Sequence, residues 1–249
     1  MITSANNTQV KNIIQLNQKA KARREQGLFV AEGRKMFGEA PKDWISRVYV
    51  TESLTAEESL MKQVMELPEE KREIVADNVF RQMCDTRTPQ GILTVLKKPV
   101  WTVEDILKGD APLVMVLEDL QDPGNAGTIF RTGEGAGVSG VFLTKTCVDI
   151  TNPKVIRSTM GSVYRMPFLY VEDVVSLKAE LEQKGIRTFA AHLKGKNSYD
   201  QEDYQGGTAF LIGNEGNGLT EEAAESAACR IRIPMCYKVE SLNAAMAAG

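Results

Sequence analysis

Residues 208–249 read TAFLIGNEGNGLTEEAAESAACRIRIPMCYKVESLNAAMAAG. The apolar run Ala209 to Ile212 has the length and flanks of a buried strand. It ends in Gly213-Asn-Glu-Gly216-Asn-Gly218, a loop with three glycines and one carboxylate. Such a loop lets the main chain approach a ligand closely. A polar helix follows, with Thr220 suited to cap it and Glu221 and Glu222 in its first turn. A second strand, Arg230 to Ile233, is stopped by Pro234. The loop Met235 to Glu240 then leads to Ser241-Leu242-Asn243, which open an Ala-rich helix. Two strand–loop–helix units in succession place two ligand-facing loops on one edge of a sheet. The stretch predicts a binding site.

Three segments of the chain carry a family resemblance. They are the strand followed by Gly-Asn-Glu-Gly-x-Gly-Leu, the Ile-Pro-Met segment with Glu-Ser-Leu-Asn, and an upstream segment. The last runs Leu113-Val-Met-Val-Leu-Glu-Asp-Leu-Gln-Asp122-Pro-Gly-Asn125-Ala-Gly-Thr-Ile-Phe-Arg131-Thr132. Together and in this order they resemble the signature motifs of the SpoU/TrmH branch of the SPOUT RNA methyltransferases. The resemblance implies an α/β fold: a C-terminal parallel-sheet domain tied in a trefoil knot, preceded by a small α/β domain like ribosomal protein L30e. It also implies S-adenosylmethionine as methyl donor, an RNA substrate and a homodimer formed through the knotted region.

The bulk properties are compatible with this. A chain of 249 residues suits one large or two small domains. Its composition, 43% hydrophobic and 25% charged, is that of a globular protein rather than a disordered or membrane chain. A net charge of −3 argues against indiscriminate polyanion binding, so any nucleic-acid surface must be local. The four cysteines are scattered with no C-x-x-C pair, which predicts reduced thiols and no zinc site. No apolar run approaches a membrane span, and MITSANNTQVK lacks the apolar core of a signal peptide. The expected compartment is the cytoplasm.

Taken in order, residues 1–40 carry seven basic against three acidic residues. By itself this asymmetry reads as a solvated helix face; the resemblance of this stretch to a SpoU substrate-binding domain turns it toward RNA contact. Asn7 to Gln26 reads as one helix with Val10, Ile13, Ile14 and Leu16 as its apolar stripe. Strands are expected at Leu28–Glu32, Arg47–Thr51, Arg72–Ala76 and Gly91–Leu96. Helices are expected between them, at Gly33–Ala40, Ala56–Glu66 and Asn78–Asp85. The alternation suggests a small α/β domain over residues 1–98, which the resemblance implies is an N-terminal RNA substrate-binding domain. Residues 99–111 read as a linker, and 112–249 are implied to be the catalytic domain. In the last, strands at Leu113–Leu117, Gly140–Leu143, Pro167–Tyr170 and Arg187–Ala191 join the two C-terminal ones in a mostly parallel six-stranded sheet. Helices around Pro153–Met160 and Asp173–Lys184 lie between them.

The motif matches imply site residues. Arg131 matches the catalytic arginine acting on the ribose 2′-hydroxyl, and Asn125 an active-site asparagine, although its position also suits a helix N-cap. Glu215 is expected to accept hydrogen bonds from an Arg or Asn of the first motif. Ser241 and Asn243 are implied to line the meeting point of donor and ribose, or simply to cap the last helix. The donor is implied to rest on Leu193, Gly213, Ile233, Met235 and Leu242. His192, the lone histidine, reads as a loop residue rather than a base. After Asn243 only Ala-Ala-Met-Ala-Ala-Gly remain, where members of the family carry a longer final helix that packs in the dimer interface. The function implied is 2′-O-methylation of a ribose in structured RNA, rRNA ahead of tRNA. The alternative is a non-catalytic RNA-binding or ribosome assembly factor of the same fold. Gly133-Glu-Gly135-Ala-Gly137 lies after a helix rather than after a strand, which argues against a dinucleotide-dependent oxidoreductase.

Overall fold

A computed structural model describes residues 1–236 and 241–249. The chain divides into two compact units, residues 1–100 with 149–164, and residues 101–148 with 165–249.

The first unit opens with helices α1 (Thr8–Gln18) and α2 (Ala20–Gln26). The single helix expected over Asn7 to Gln26 is broken at Lys19, which is extended at φ −121° and ψ 112°. The break has a use. It turns Arg23 inward, where Nη1 donates to the carbonyls of Leu16 at 2.8 Å and Asn17 at 3.3 Å. These are last-turn carbonyls that lack partners within α1. Strand β1 (Leu28–Glu32), helix α3 (Arg34–Gly38), strand β2 (Ile45–Thr51), helix α4 (Glu58–Met65), strand β3 (Arg72–Val75), helix α5 (Asp77–Met83) and strand β4 (Ile92–Lys97) follow. The sheet order is β1-β4-β2-β3, with only β2 and β3 parallel. Val10, Ile13 and Leu16 of α1 pack with Phe80 and Met83 of α5 against Val30, Tyr49 and Leu93 of the sheet.

The second unit contains helix α6 (Val103–Ile106), strand β5 (Leu113–Leu117), helix α7 (Pro123–Ala136) and strand β6 (Gly140–Thr144). Helix α8 (Pro153–Thr159) comes next in the chain but lies in the first unit. Strand β7 (Phe168–Val171), helix α9 (Val174–Gln183), strand β8 (Arg187–Ala191) and the two-residue strand β9 (Asn197–Ser198) return to the second. Strand β10 (Thr208–Ile212), helix α10 (Glu221–Ser226), strand β11 (Cys229–Arg232) and helix α11 (Ala244–Ala248) complete it. The sheet is parallel throughout, in the order β7-β6-β5-β10-β8-β11-β9. It has seven strands rather than the six expected, because Asn197-Ser198 is too short and too polar to register as a strand. Val114, Val116, Phe142, Ala190, Ala209 and Leu211 form its core with Leu177 and Leu181 of α9 and Ala223 and Ala224 of α10. Gly137 closes α7 in a left-handed conformation, so the glycine run 133–137 is a helix end.

Division by packing thus departs from division at residues 98 and 112. Residues 149–164 sit with the first unit because Asp149 Oδ2 accepts from Arg23 Nε at 2.9 Å and lies 2.8 Å from Nη2. Tyr164 also donates its hydroxyl to the Met36 carbonyl at 3.0 Å. Arg23 is 3% exposed. Removing one partner of such a pair strands the other in the interior. Arg23→Ala should therefore lower the unfolding free energy by roughly 3 kcal/mol. Urea titration would show this as a lower midpoint at unchanged slope. A loss below about 1 kcal/mol would show the pair to be no better than a surface contact.

One connection crosses a strand. Strands β8 and β9 flank β11, and residues 192–196 that join them must pass over it. His192 N donates to the Ile231 carbonyl at 2.9 Å. A Cβ on Gly195 would stand 2.6 Å from the Ile231 carbonyl carbon, so only glycine passes at this height. Strand β11 is threaded beneath this linker. Among the described residues no helix is long and apolar enough to cross a membrane.

Candidate active site

The site is built where strands β5, β10, β8 and β11 end, since neighbouring parallel strands deliver their loops to one edge. The first loop, residues 118–122, follows β5. Asp119 holds a positive φ of 51° there, a conformation that costs a non-glycine residue energy and needs support. Support comes from the turn after β6. Asp119 N donates to Thr144 Oγ1 at 3.0 Å, Leu120 N to Cys147 Sγ at 3.2 Å, and Gln121 Nε2 to the Thr146 carbonyl at 2.7 Å. Burial pushes the Cys147 thiol up, so it serves as a neutral group in this frame.

The loop ends at Asp122, which caps α7 by accepting from Asn125 N at 2.8 Å, with Pro123 in the first turn. The cap is therefore Asp122, not Asn125 as the position suggested. Asn125 lies one turn in and is buried, which leaves its side-chain amide for longer-range bonds.

Those bonds join the three motifs. Asn125 Nδ2 donates to Glu215 Oε1 at 3.1 Å, and Asn125 Oδ1 accepts from Asn243 Nδ2 at 2.9 Å. Glu215 also accepts from Asp122 N at 2.8 Å and Gln121 N at 3.1 Å. Partial burial raises the Glu215 pKa, but the amides of Asp122 and Gln121 and the Asn125 side chain outweigh it and hold the carboxyl below its ordinary range. Asn243 Oδ1 in turn caps α11 by accepting from Ala245 N at 2.9 Å.

Two further clasps lock the glycine loop to the first loop. Asn214 Nδ2 donates to the Asp119 carbonyl at 2.8 Å, while Asn214 Oδ1 accepts from the amides of Gly216 and Asn217. Glu118 accepts from Thr220 N at 2.7 Å and Thr220 Oγ1 at 2.9 Å, at the start of α10. The turn itself requires glycine, since a Cβ at Gly213 would lie 2.1 Å from the Gly218 carbonyl carbon. Glu118, Asp119, Asn214 and Thr144 escaped the sequence reading as site-forming residues. Glu118, Asp119 and Asn214 stand inside the quoted motifs, but nothing in the linear order says which loop they reach.

The remaining residues singled out by sequence are placed as follows. Arg131 is exposed on α7 and has no hydrogen bond or ion pair among the described residues. It is not joined to Asn125, whose amide is taken up by Glu215 and Asn243. Ser241 is exposed, and the cap of α11 is Asn243 instead. Leu193 and Leu242, at 65% and 43% exposed, are large apolar side chains left uncovered on the loops after β8 and before α11. Ile233 and Met235 are half-buried. Ile233 and Leu242 also line an apolar cavity of about 440 Å³ with Ile129, Phe210, Tyr199 and Met246. Leu193, Gly213 and Met235 lie outside that cavity, so it is not a cradle formed by all five. His192 accepts from Lys194 N through Nδ1 at 3.1 Å, a turn-forming contact. Residues 237–240, which include Glu240 of the third motif, lie outside the described residues. No group of three or more His, Cys, Asp or Glu among the described residues could hold a metal ion.

Comparison with known proteins bears on this geometry. Residues 112–249 match the model of the SpoU rRNA Methylase family, and residues 7–94 that of an MRM3-like substrate binding domain. The chain is 32% identical to an uncharacterized tRNA/rRNA methyltransferase of Synechocystis sp., covering 100% of this chain and 90% of the relative. It is 31% identical to the 23S rRNA (guanosine(2553)-2′-O)-methyltransferase RlmP of Bacillus subtilis, over 99% of this chain and 95% of that protein. The crystal structure of an AdoMet-bound rRNA methyltransferase from Sinorhizobium meliloti superposes with a TM-score of 0.86 at 29% identity, covering 99% and 93% of the two chains. With the family model spanning more than half of its length and three motif loops hydrogen-bonded into one site, the chain belongs to the SpoU rRNA methylase family.

Proposed function

We propose that this protein transfers a methyl group from S-adenosylmethionine to the 2′-hydroxyl of a ribose in structured ribosomal RNA. The observation that supports this reading is the Glu215–Asn125–Asn243 chain, which ties the three motif loops together at the start of α7, the helix that carries Arg131. The loops fit the donor. Strands β10 and β11, on either side of β8, bring main-chain groups of Gly213 and Ile233 to one edge of the sheet. The uncovered side chains of Leu193 and Leu242 offer apolar contact for an adenine. When bound, the donor supplies a methyl group already activated on a sulfonium.

The chain's own part is then to position and polarise the acceptor. A guanidinium is unsuited to take a proton, so Arg131 is not the base. Its planar fork holds an RNA phosphate and, as a nearby cation, favours ionisation of the 2′-hydroxyl. The proton leaves to that phosphate or to a neighbouring acceptor. Glu215 acts through Asn125 as a positioning residue: its carboxylate is consumed by two amides and the Asn125 side chain. Ser241 and Asn243 belong to the third loop, where Asn243 is tied to Asn125.

The N-terminal unit, with the MRM3-like match, serves as the RNA-binding part. A polar pocket of about 650 Å³ in it is lined by Arg81, Gln90 and Ser53 together with Arg34, which is paired with Glu57, and Asp77, and it offers hydrogen-bonding groups to a folded RNA. The preference for rRNA follows the 23S rRNA enzyme of B. subtilis. The threading of β11 supports a trefoil knot, and the protein works as a homodimer through that region in the cytoplasm.

The test is calorimetric titration with S-adenosylmethionine, alongside transfer of tritiated methyl groups to total RNA. Donor binding and label recovered as 2′-O-methylated nucleotide in rRNA are expected. RNA binding without donor binding or transfer would replace the proposal with an assembly-factor role.

A further inference from the structure

On a chain of net charge −3, one stretch of the catalytic unit is locally basic. The linker that crosses β11 carries Lys194 and Lys196 on either side of Gly195, and β11 beneath it carries Arg230 and Arg232. Because Gly195 rests against the Ile231–Arg232 backbone, the lysine-bearing linker and the arginine-bearing strand lie one on the other as a ridge, and Lys194 and Arg230 share Glu221 as a neighbour. Among the described residues, one carboxylate is ion-paired with this ridge. Glu221, in the first turn of α10, stands 3.5 Å from Lys194 Nζ, 3.6 Å from Arg230 Nη1 and 4.0 Å from His192 Nε2. Lys196 and Arg232 are exposed and have no ion pair among the described residues. The neighbouring Glu202 pairs with Arg187 at 3.0 Å and also accepts from the Cys229 thiol at the start of β11.

We propose that this ridge is a phosphate-binding surface that seats the backbone of the substrate RNA beside the donor loops, with Glu221 restraining the cations until phosphate displaces it. The inference rests on the RNA methyltransferase reading and adds a contact surface within the catalytic unit itself. Exposed pairs such as Glu221–Lys194 contribute little to stability, so an RNA phosphate competes with Glu221 at small cost. Each cation that neutralises a phosphate releases counterions, which makes the contact visible in the salt dependence of binding. The ridge lies on a rigid crossing, so it contributes register as well as attraction.

The experiment measures binding of the full-length protein to deproteinised total rRNA over a salt series, for wild type, Lys194→Ala/Lys196→Ala and Glu221→Gln. The double variant should bind about tenfold more weakly, with a log K versus log salt slope shallower by about 1 to 2. Glu221→Gln should bind several-fold more tightly, because it removes the competing carboxylate. Lys62→Ala, a charge removed from α4 of the other unit, is the control for net charge. Thermal midpoints of all variants should match the wild type, which separates lost contact from lost fold. Methyl transfer by the wild type is recorded on the same RNA. If the wild type methylates RNA while the double variant keeps the wild-type affinity and slope, the ridge proposal fails alone. If the wild type neither binds nor methylates RNA, both proposals fall.

Discussion

Arg131→Ala is expected to lower kcat for methyl transfer by about 100- to 1,000-fold, the usual cost of removing one preorganised charge-stabilising donor. Donor affinity and thermal midpoint should stay near wild-type values. The asymmetry follows from the placement of Arg131. Its side chain is exposed on α7 and has no partner among the described residues, so the fold does not depend on it. An exposed arginine with no hydrogen bond or ion pair among the described residues is open to a ligand. Arg131→Lys should recover little of the loss, because an ammonium cannot reproduce a bidentate fork on phosphate. Single-turnover kinetics with saturating donor and RNA would read the effect. A lysine variant with most of its activity would refute the fork, and an alanine variant with most of its activity would refute the role.

Asn125→Asp is the second large effect, and it is a stability effect with a pH signature. The substitution keeps the oxygen that accepts from Asn243 but sets a carboxylate where Glu215 Oε1 now accepts an amide at 3.1 Å. In the wild type, Glu215 has a folded pKa below its unfolded value. Its contribution is therefore present above the unfolded carboxylate pKa and is lost as pH falls through the folded one. In the variant the two carboxylates cannot both ionise without repulsion, so the folded state holds a proton that the unfolded chain has released at neutral pH. Stability should drop by about 1 to 3 kcal/mol at pH 7 and recover as pH falls toward 5. Urea unfolding at the two pH values checks the sign. Donor affinity should follow the same trend, because Asn125 bridges the glycine loop and α11. A loss independent of pH would mean that the Asn125–Glu215 contact is not what the substitution disturbs.

Much of the architecture can be read from local pattern. Strands Leu28–Glu32, Leu113–Leu117 and Arg187–Ala191 have the expected bounds because each is a short apolar or alternating run between clear breakers. The break in the N-terminal helix could not be read this way. Lys19 is an ordinary helix former, and what interrupts the helix is Arg23 folding back onto the carbonyls of α1 and reaching Asp149, a residue 126 positions away. The same pair explains why α8, between two strands of one sheet, belongs to the other unit. In the site, Glu215 was legible as an ordering carboxylate because a charged residue between glycines has few structural uses. Glu118 and Asp119 were not, because their partners Thr220 and Asn214 lie about a hundred residues downstream. Motif spacing identifies the loops; only the fold says how they clasp.

The passage of β11 beneath residues 192–196 also constrains the order of events in time. Strand β11 cannot take its place between β8 and β9 by simple lateral addition. Either the later segment is drawn under a linker already spanning the gap, or the linker closes after β11 has docked. Both routes demand long-range contacts before the chain is rewarded for them, which slows folding. The linker His192-Leu193-Lys194-Gly195-Lys196 suits a gap that must stay open. With one apolar side chain and two lysines it has little reason to collapse onto the bare edge of β8 early. Residues that offer charge to a polyanion in the finished protein would thus also keep the doorway clear while it is being built.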